Sequence, residues 1–198
     1  MAGDLLRQET VDAMLVGAVD LAALFHHEGD RRMAEAYRAA ATGDMRIRDR
    51  VALAVRTRLE CSGDKEAVRR GVTLFALPMH AADGARALWQ TADAIWTALG
   101  DTSEDLNWYT KRATLSAVYS ATVLYWLGDD SPESADTWAF LDRRIEDVMR
   151  IEKAKSRARE NRLFNRLMAG PNAILGRVRA PSRPSGDGLP GGWVAPRR

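Results

Sequence analysis

Side chains that could do chemistry are scarce in this 198-residue chain: three histidines (His26, His27 and His80) and one cysteine, Cys61. His26-His27-Glu28 with Asp30 gathers imidazoles and carboxylates, the donor types that hold a divalent metal. The spacing is wrong for that use. Imidazoles converge from one helix at i and i+4, not at adjacent positions, so the cluster reads as a polar helix face. No Glu-x-x-His pair occurs, which excludes on pattern a di-iron carboxylate centre within this chain. Cys61 has no histidine near it in sequence to take its proton and reads as a structural thiol, at least partly buried. A Gly-rich phosphate loop, a Gly-x-Ser-x-Gly elbow and a Cys-x-x-Cys pair are all missing. No catalytic residue, metal or cofactor is assigned, and the chain is not expected to be an enzyme acting alone.

Binding chemistry is better represented. Trp89, Trp96, Trp108, Tyr109, Tyr119, Tyr125, Trp126, Trp138 and Phe140 fall between residues 89 and 140. Two readings stay open: a packed core, or an apolar cavity between helices where bulky rings alternate with Ala, Ser and Thr. The candidate cavity residues are Ile95, Leu99, Leu115, Val118, Tyr119, Thr122 and Trp126, on the facing sides of the two most apolar helices. Asn107-Trp108-Tyr109 follows an acidic turn at a helix start. Rings so placed either staple the helix to the core or sit half-exposed as an interface.

The charge distribution marks a third region. The formal net charge is only +2. From Ile151 onward the chain carries eleven basic residues against Glu152, Glu160 and Asp187. An acidic body therefore bears a basic end, an arrangement suited to an anionic partner. Leu163, Phe164, Leu167 and Met168 form an apolar stripe there, with Arg159, Arg162 and Arg166 around it. A basic amphipathic helix of this kind suits an anionic membrane surface, although a helix packed on the domain shows the same periodicity. It has no aromatic platform for single strands, and Leu5 to Val16 offers phosphates only Arg7, so nucleic acid is not expected as a partner.

The elements that position these residues read as all helix: Ala, Leu, Arg and Glu dominate and hairpin patterns are missing. A short helix is expected over Leu5–Leu15, ended by Gly17, and a second over Val19–Ala41. A third carries Ile47, Val51, Val55 and Leu59 on one face. Asp64 is placed to cap the next, which ends by Pro78. Ala82–Leu99 follows, stopped by Gly100. The next helix starts after Thr102-Ser103-Glu104-Asp105 and is apolar or small all round from Ala113 to Leu127, the mark of a central helix. Ser131 and Pro132 open a last helix with Trp138, Leu141, Ile145, Val148 and Met149. The Pro- and Gly-rich end after Arg179 reads as disordered. No apolar run approaches the roughly 20 residues of a membrane span. The N-terminus has neither a signal core nor the character of a transit peptide.

The residues from Ala87 to Ser156 resemble a known family. Leu88-Trp89, Ala92-Asp93-x-Ile95-Trp96, Asn107-Trp108-Tyr109-Thr110-Lys111-Arg112 and Thr137-Trp138-x-Phe140-Leu141-Asp142-Arg143-Arg144-Ile145 are similar to the Coq-nine family of ubiquinone biosynthesis accessory proteins. The resemblance continues more weakly upstream to about Val19. It implies a TetR-like helical bundle, with a pocket for isoprenoid quinone intermediates or other lipids at the candidate cavity residues. It also implies a C-terminal amphipathic helix docked on the membrane, and a surface at Ser103, Asp105, Trp108 and Tyr109 for the di-iron demethoxyubiquinone hydroxylase. A homodimer is compatible with such a fold. The function implied is presentation of quinone intermediates to that hydroxylase; the alternative is a TetR-like, ligand-responsive transcriptional regulator. Only eighteen residues precede Val19, so the helix-turn-helix-like unit that opens TetR-like proteins is expected to be incomplete. The expected organisation is that unit over 1–45, a lipid-binding domain over 46–156, the amphipathic helix over 157–179 and a disordered tail over 180–198. The expected location is the cytoplasmic face of a bacterial inner membrane, or the mitochondrial matrix side in a eukaryote.

Overall fold

The computed structural model describes residues 2–40, 43–160 and 178–181, with the backbone alone for 2–16, 155 and 158–160. All regular structure among the described residues is helical: α1 (Ala2–Ala39), α2 (Ile47–Glu60), α3 (Lys65–Phe75), α4 (Ala81–Ala98), α5 (Leu106–Leu127) and α6 (Ala135–Glu160). No helix among them is long and apolar enough to cross a membrane.

The largest departure from the expected elements is at the start. α1 runs unbroken through Gly17, where a stop is expected. One interior glycine costs a helix about 1 kcal/mol, too little to end it among Ala, Leu, Val and Met neighbours. The other boundaries follow local chemistry. Asp64 accepts from the Glu66 amide at 2.8 Å and Asp105 from the Asn107 amide at 2.9 Å, capping α3 and α5. Gly100, at φ +80°, ends α4. Its amide donates to the Thr97 carbonyl and that of Asp101 to the Trp96 carbonyl, the paired bonds that only a left-handed residue after the helix permits. Pro132 opens a short 3₁₀ turn rather than α6 itself, and the Ser131 hydroxyl reaches past it to accept from the Asp136 amide. Buried Asp129 accepts from the Ser131 and Thr137 amides. Hydrogen bonds from the Ser131 and Thr137 side chains, and then from these amides, hold its carboxyl far below the ordinary range.

α4 packs between α1 and α5, α2 lies on α1, and α6 on α5. The core joins Met33 and Tyr37 of α1, Val55 and Leu59 of α2, Ile95 of α4, Leu115 and Trp126 of α5, and Leu141 and Ile145 of α6. α5 is less enclosed than its composition implies. Leu124 is 58% exposed, and Tyr125 faces outward, stacked on Phe140 at 4.5 Å. The neighbours cover two sides of the helix and leave a third side open.

Candidate functional site

That open side of α5 is one wall of a cavity of about 1020 Å³. α1 contributes Ala18, Leu21, Ala22 and Phe25; α3 contributes Val68, Gly71, Val72 and Phe75; α4 contributes Gly84 and Leu88; α5 contributes Tyr119, Ser120, Val123 and Leu124. The lining is mostly apolar, and the volume stands at the upper end of ligand pockets, about 300–1,000 Å³. The cavity is open to solvent, since Leu21 and Leu124 on its wall are both largely exposed. Small residues make the space: Ala18 and Ala22 stand one turn apart on α1, and Ala67 and Gly71 on α3. Gly84 lets α3 come close, since a β-carbon there would lie 2.7 Å from Cβ of Phe75.

Of the seven candidate cavity residues, the structure brings Tyr119 to the wall. Ile95, Leu99, Leu115, Val118, Thr122 and Trp126 are buried in the core behind it. Sequence reasoning had no reason to select the α1 and α3 positions. The available signal was the i, i+4 repeat of small residues among large apolar ones.

A polar cluster interrupts the apolar wall. Arg58 is 1% exposed and its Nε donates to Asp30 at 2.6 Å. Its other nitrogens donate to the Ser62 hydroxyl at 2.7 Å and the His26 carbonyl at 3.0 Å. Thr91 donates its hydroxyl proton to Asp30 at 2.8 Å, so its oxygen is left to accept from Nε2–H of His26 at 3.3 Å. Nδ1 of His26 then faces Arg58 as an acceptor at 3.4 Å. This neutral tautomer agrees with the electrostatics: burial, and then the Arg58 charge, lower the His26 pKa to about 4. The adjacent histidines of the sequence thus separate, with His27 exposed and His26 inside the cluster. The Asp30 carboxylate is engaged by Arg58 and Thr91, so the cluster holds its shape rather than offering a free base.

The four expected partner-surface residues lie together at the α4–α5 turn. Trp108 and Tyr109 are half-buried and meet edge to face at 4.8 Å, with Trp89 5.8 Å from Trp108. The Arg112 guanidinium, fully buried, lies 3.9 Å from the centre of the Trp108 ring. Arg112 also pairs with Asp93 at 2.6 Å and Asp101 at 3.1 Å. Asp101 accepts from Lys111 and from the Ser103 hydroxyl, each at 2.8 Å. Burial opposes its ionisation, but the hydrogen bonds from Lys111, Ser103 and Arg112 outweigh it and bring its pKa down to about 2. Asp105 is exposed and caps α5. A strap of residues 178–181 lies beside this surface. The Tyr109 hydroxyl donates to the Arg179 carbonyl at 3.1 Å, and the Ala180 amide to the Glu104 carbonyl at 2.9 Å. The expected membrane residues Arg162, Leu163, Phe164, Arg166, Leu167 and Met168 lie outside the described residues; Arg159 is described as α6 backbone only.

The fold is that of a TetR-like helical protein. A TetR transcriptional regulator from Nitrosomonas europaea ATCC 19718 superposes with a TM-score of 0.51 at 18% identity, over 62% of this chain and 68% of that one. Within this fold, residues 81–152 match the model of the COQ9 family. The ubiquinone biosynthesis protein COQ9, mitochondrial, of Rattus norvegicus is 40% identical over 82 residues, 41% of this chain and 26% of that protein. The Homo sapiens protein of the same name is 39% identical over the same shares. That of Drosophila melanogaster is 33% identical over 129 residues, 62% of this chain and 40% of its own length. The match to the rat and human relatives spans about a quarter of their length.

Proposed function

We propose that the protein serves ubiquinone biosynthesis as a lipid-binding accessory protein, holding isoprenoid quinone intermediates and presenting them to a di-iron hydroxylase. The observation that carries this is the apolar cavity beside the stretch that matches the COQ9 family: α4 and α5 span the first two-thirds of that stretch and supply one side of the cavity. The names of the similar proteins support the pathway. The cavity supports an apolar ligand. The aromatic surface around Trp108 and Tyr109, next to the cavity helices, is the proposed contact with the hydroxylase. The basic, amphipathic stretch 157–179 is the proposed attachment to an anionic membrane. The matrix side of the mitochondrial inner membrane is the location proposed for a eukaryotic chain, and the bacterial inner membrane for a bacterial one.

Organic extraction of the purified protein, followed by mass spectrometry, tests the reading. An isoprenoid or acyl lipid in the extract, or uptake of added quinone, is the expected result. An empty protein that takes up no quinone refutes it. Sedimentation with anionic vesicles tests the attachment: deletion of 157–179 is expected to abolish binding. A sequence-selective, salt-dependent shift of DNA is the result that favours a transcriptional regulator instead.

A further inference from the structure

The polar cluster on the cavity wall has a feature that packing alone does not require. Tyr119 is 2% exposed and lines the cavity, yet among the described residues its hydroxyl makes no hydrogen bond. The hydroxyl is not sealed off, since the fully buried side-chain atoms without a partner among the described residues are Nε2 of His80 and Nη2 of Arg112; on the cavity wall it stays available to a group that enters that space. Its neighbour Ser120, half-buried on the same wall, likewise makes none. Behind Tyr119 the Arg58 guanidinium lies 5.9 Å from the ring centre. Arg58 is neutralised by Asp30 and braced by Ser62 and His26, so this part of the wall offers hydrogen bonds but no uncompensated charge.

We propose that Tyr119, backed by the Arg58–Asp30–His26 cluster, recognises the neutral oxygen head of an amphiphile, a carbonyl or hydroxyl, whose tail lies along Phe25 and Val72. This rests on the lipid-binding reading above and narrows it. A carboxylate head is disfavoured: it would lose its hydration and find Arg58 already matched by Asp30. A pure hydrocarbon fills the same space and leaves the Tyr119 hydroxyl unpaired.

Calorimetric titration of the full chain with three probes whose tails differ by at most one carbon tests this: a decyl-tailed benzoquinone, decylbenzene and decanoate. The wild type is expected to bind the quinone most tightly. Tyr119→Phe keeps the ring and removes an oxygen that has no partner in the fold. It is expected to weaken quinone binding about five- to tenfold and leave decylbenzene unchanged. Infrared spectra supply a second readout: the bound quinone's carbonyl stretch should lie lower in the wild type than in Tyr119→Phe. Equal loss of both neutral probes, no loss of either, an unshifted carbonyl band, or a preference for decanoate overturns the proposal. A wild type that binds none of the three overturns the lipid-binding reading itself, a result separate from lost discrimination between heads.

Discussion

Gly29 and Arg58 leave no room between them: a β-carbon on Gly29 would stand 2.5 Å from Nη1 of the guanidinium. The end of an arginine side chain normally swings away from such a contact. Here Asp30, Ser62 and His26 hold it from three directions. Gly29→Ala is therefore expected to destabilise the protein by about 1–3 kcal/mol despite alanine's better helix propensity. Urea denaturation checks this. Unchanged or increased stability would mean that the guanidinium has another place to go.

His26 sets an acid limit on stability. Its folded-state pKa is lowered to about 4 from 6.5. Between these values the unfolded chain takes up a proton that the folded one refuses, so stability is lost as pH falls from about 6.5 and the loss is complete below 4. By pH 5 the loss is about 2 kcal/mol. Denaturation midpoints for wild type and His26→Gln at pH 7.5 and pH 5 measure it. The variant should show a markedly smaller drop over that interval, and equal drops would locate the dependence elsewhere.

Asp101 compensates two cations, Lys111 and the fully buried Arg112. Asp101→Asn leaves Arg112 with only the half-exposed Asp93 as counter-ion. The expected loss is about 3 kcal/mol, together with a change in the fluorescence of Trp108, on which the Arg112 guanidinium lies. The wild-type contribution is lost in the same direction as that of His26, on acidification, but at lower pH. Asp101 is ionised above its lowered pKa, so its support persists at neutral pH and fades only as pH falls towards about 2.

Gly84→Ala forces a different adjustment. The contact is with Cβ of Phe75, which cannot rotate away, so α3 must move off α4. A loss of about 1–3 kcal/mol is expected, with a changed affinity for the decyl-tailed quinone, because Phe75 and Gly84 both line the cavity. Destabilisation without any change in affinity would show that α3 returns to its place when ligand binds.

Local chemistry was readable in advance wherever one or two residues decide the outcome. The Asp64 cap, the stop at Gly100 and the turn at Pro132 each follow from side chains within a few positions. Gly17 misleads for the converse reason: its local cost is small and its neighbours outweigh it. The TetR-like character came from the resemblance of the 87–156 block, not from periodicity. The cavity was only partly accessible. Ile95, Leu115 and Trp126 are as apolar as a lipid site demands, but burial in the core satisfies the same pattern. A cavity is space left between helices, set by where α1 and α3 cross α4 and α5, and residue types on one helix do not encode that crossing. Arg58 carries the same lesson. In sequence it is one basic residue in a helix of many, and only the approach of α1 over Gly29 makes it a buried ion.

The hydrogen bonds from Tyr109 to Arg179 and from Ala180 to Glu104 join residues 70 or more positions apart. They fasten the strap at residues 178–181 to the aromatic surface of the α4–α5 turn. Met168 lies eleven residues before Arg179, so it stands no more than about 40 Å from the carbonyl that Tyr109 holds, whatever path the chain takes. A membrane that held Met168 would therefore hold the Trp108–Tyr109 surface within the same radius, for as long as the strap stays tied.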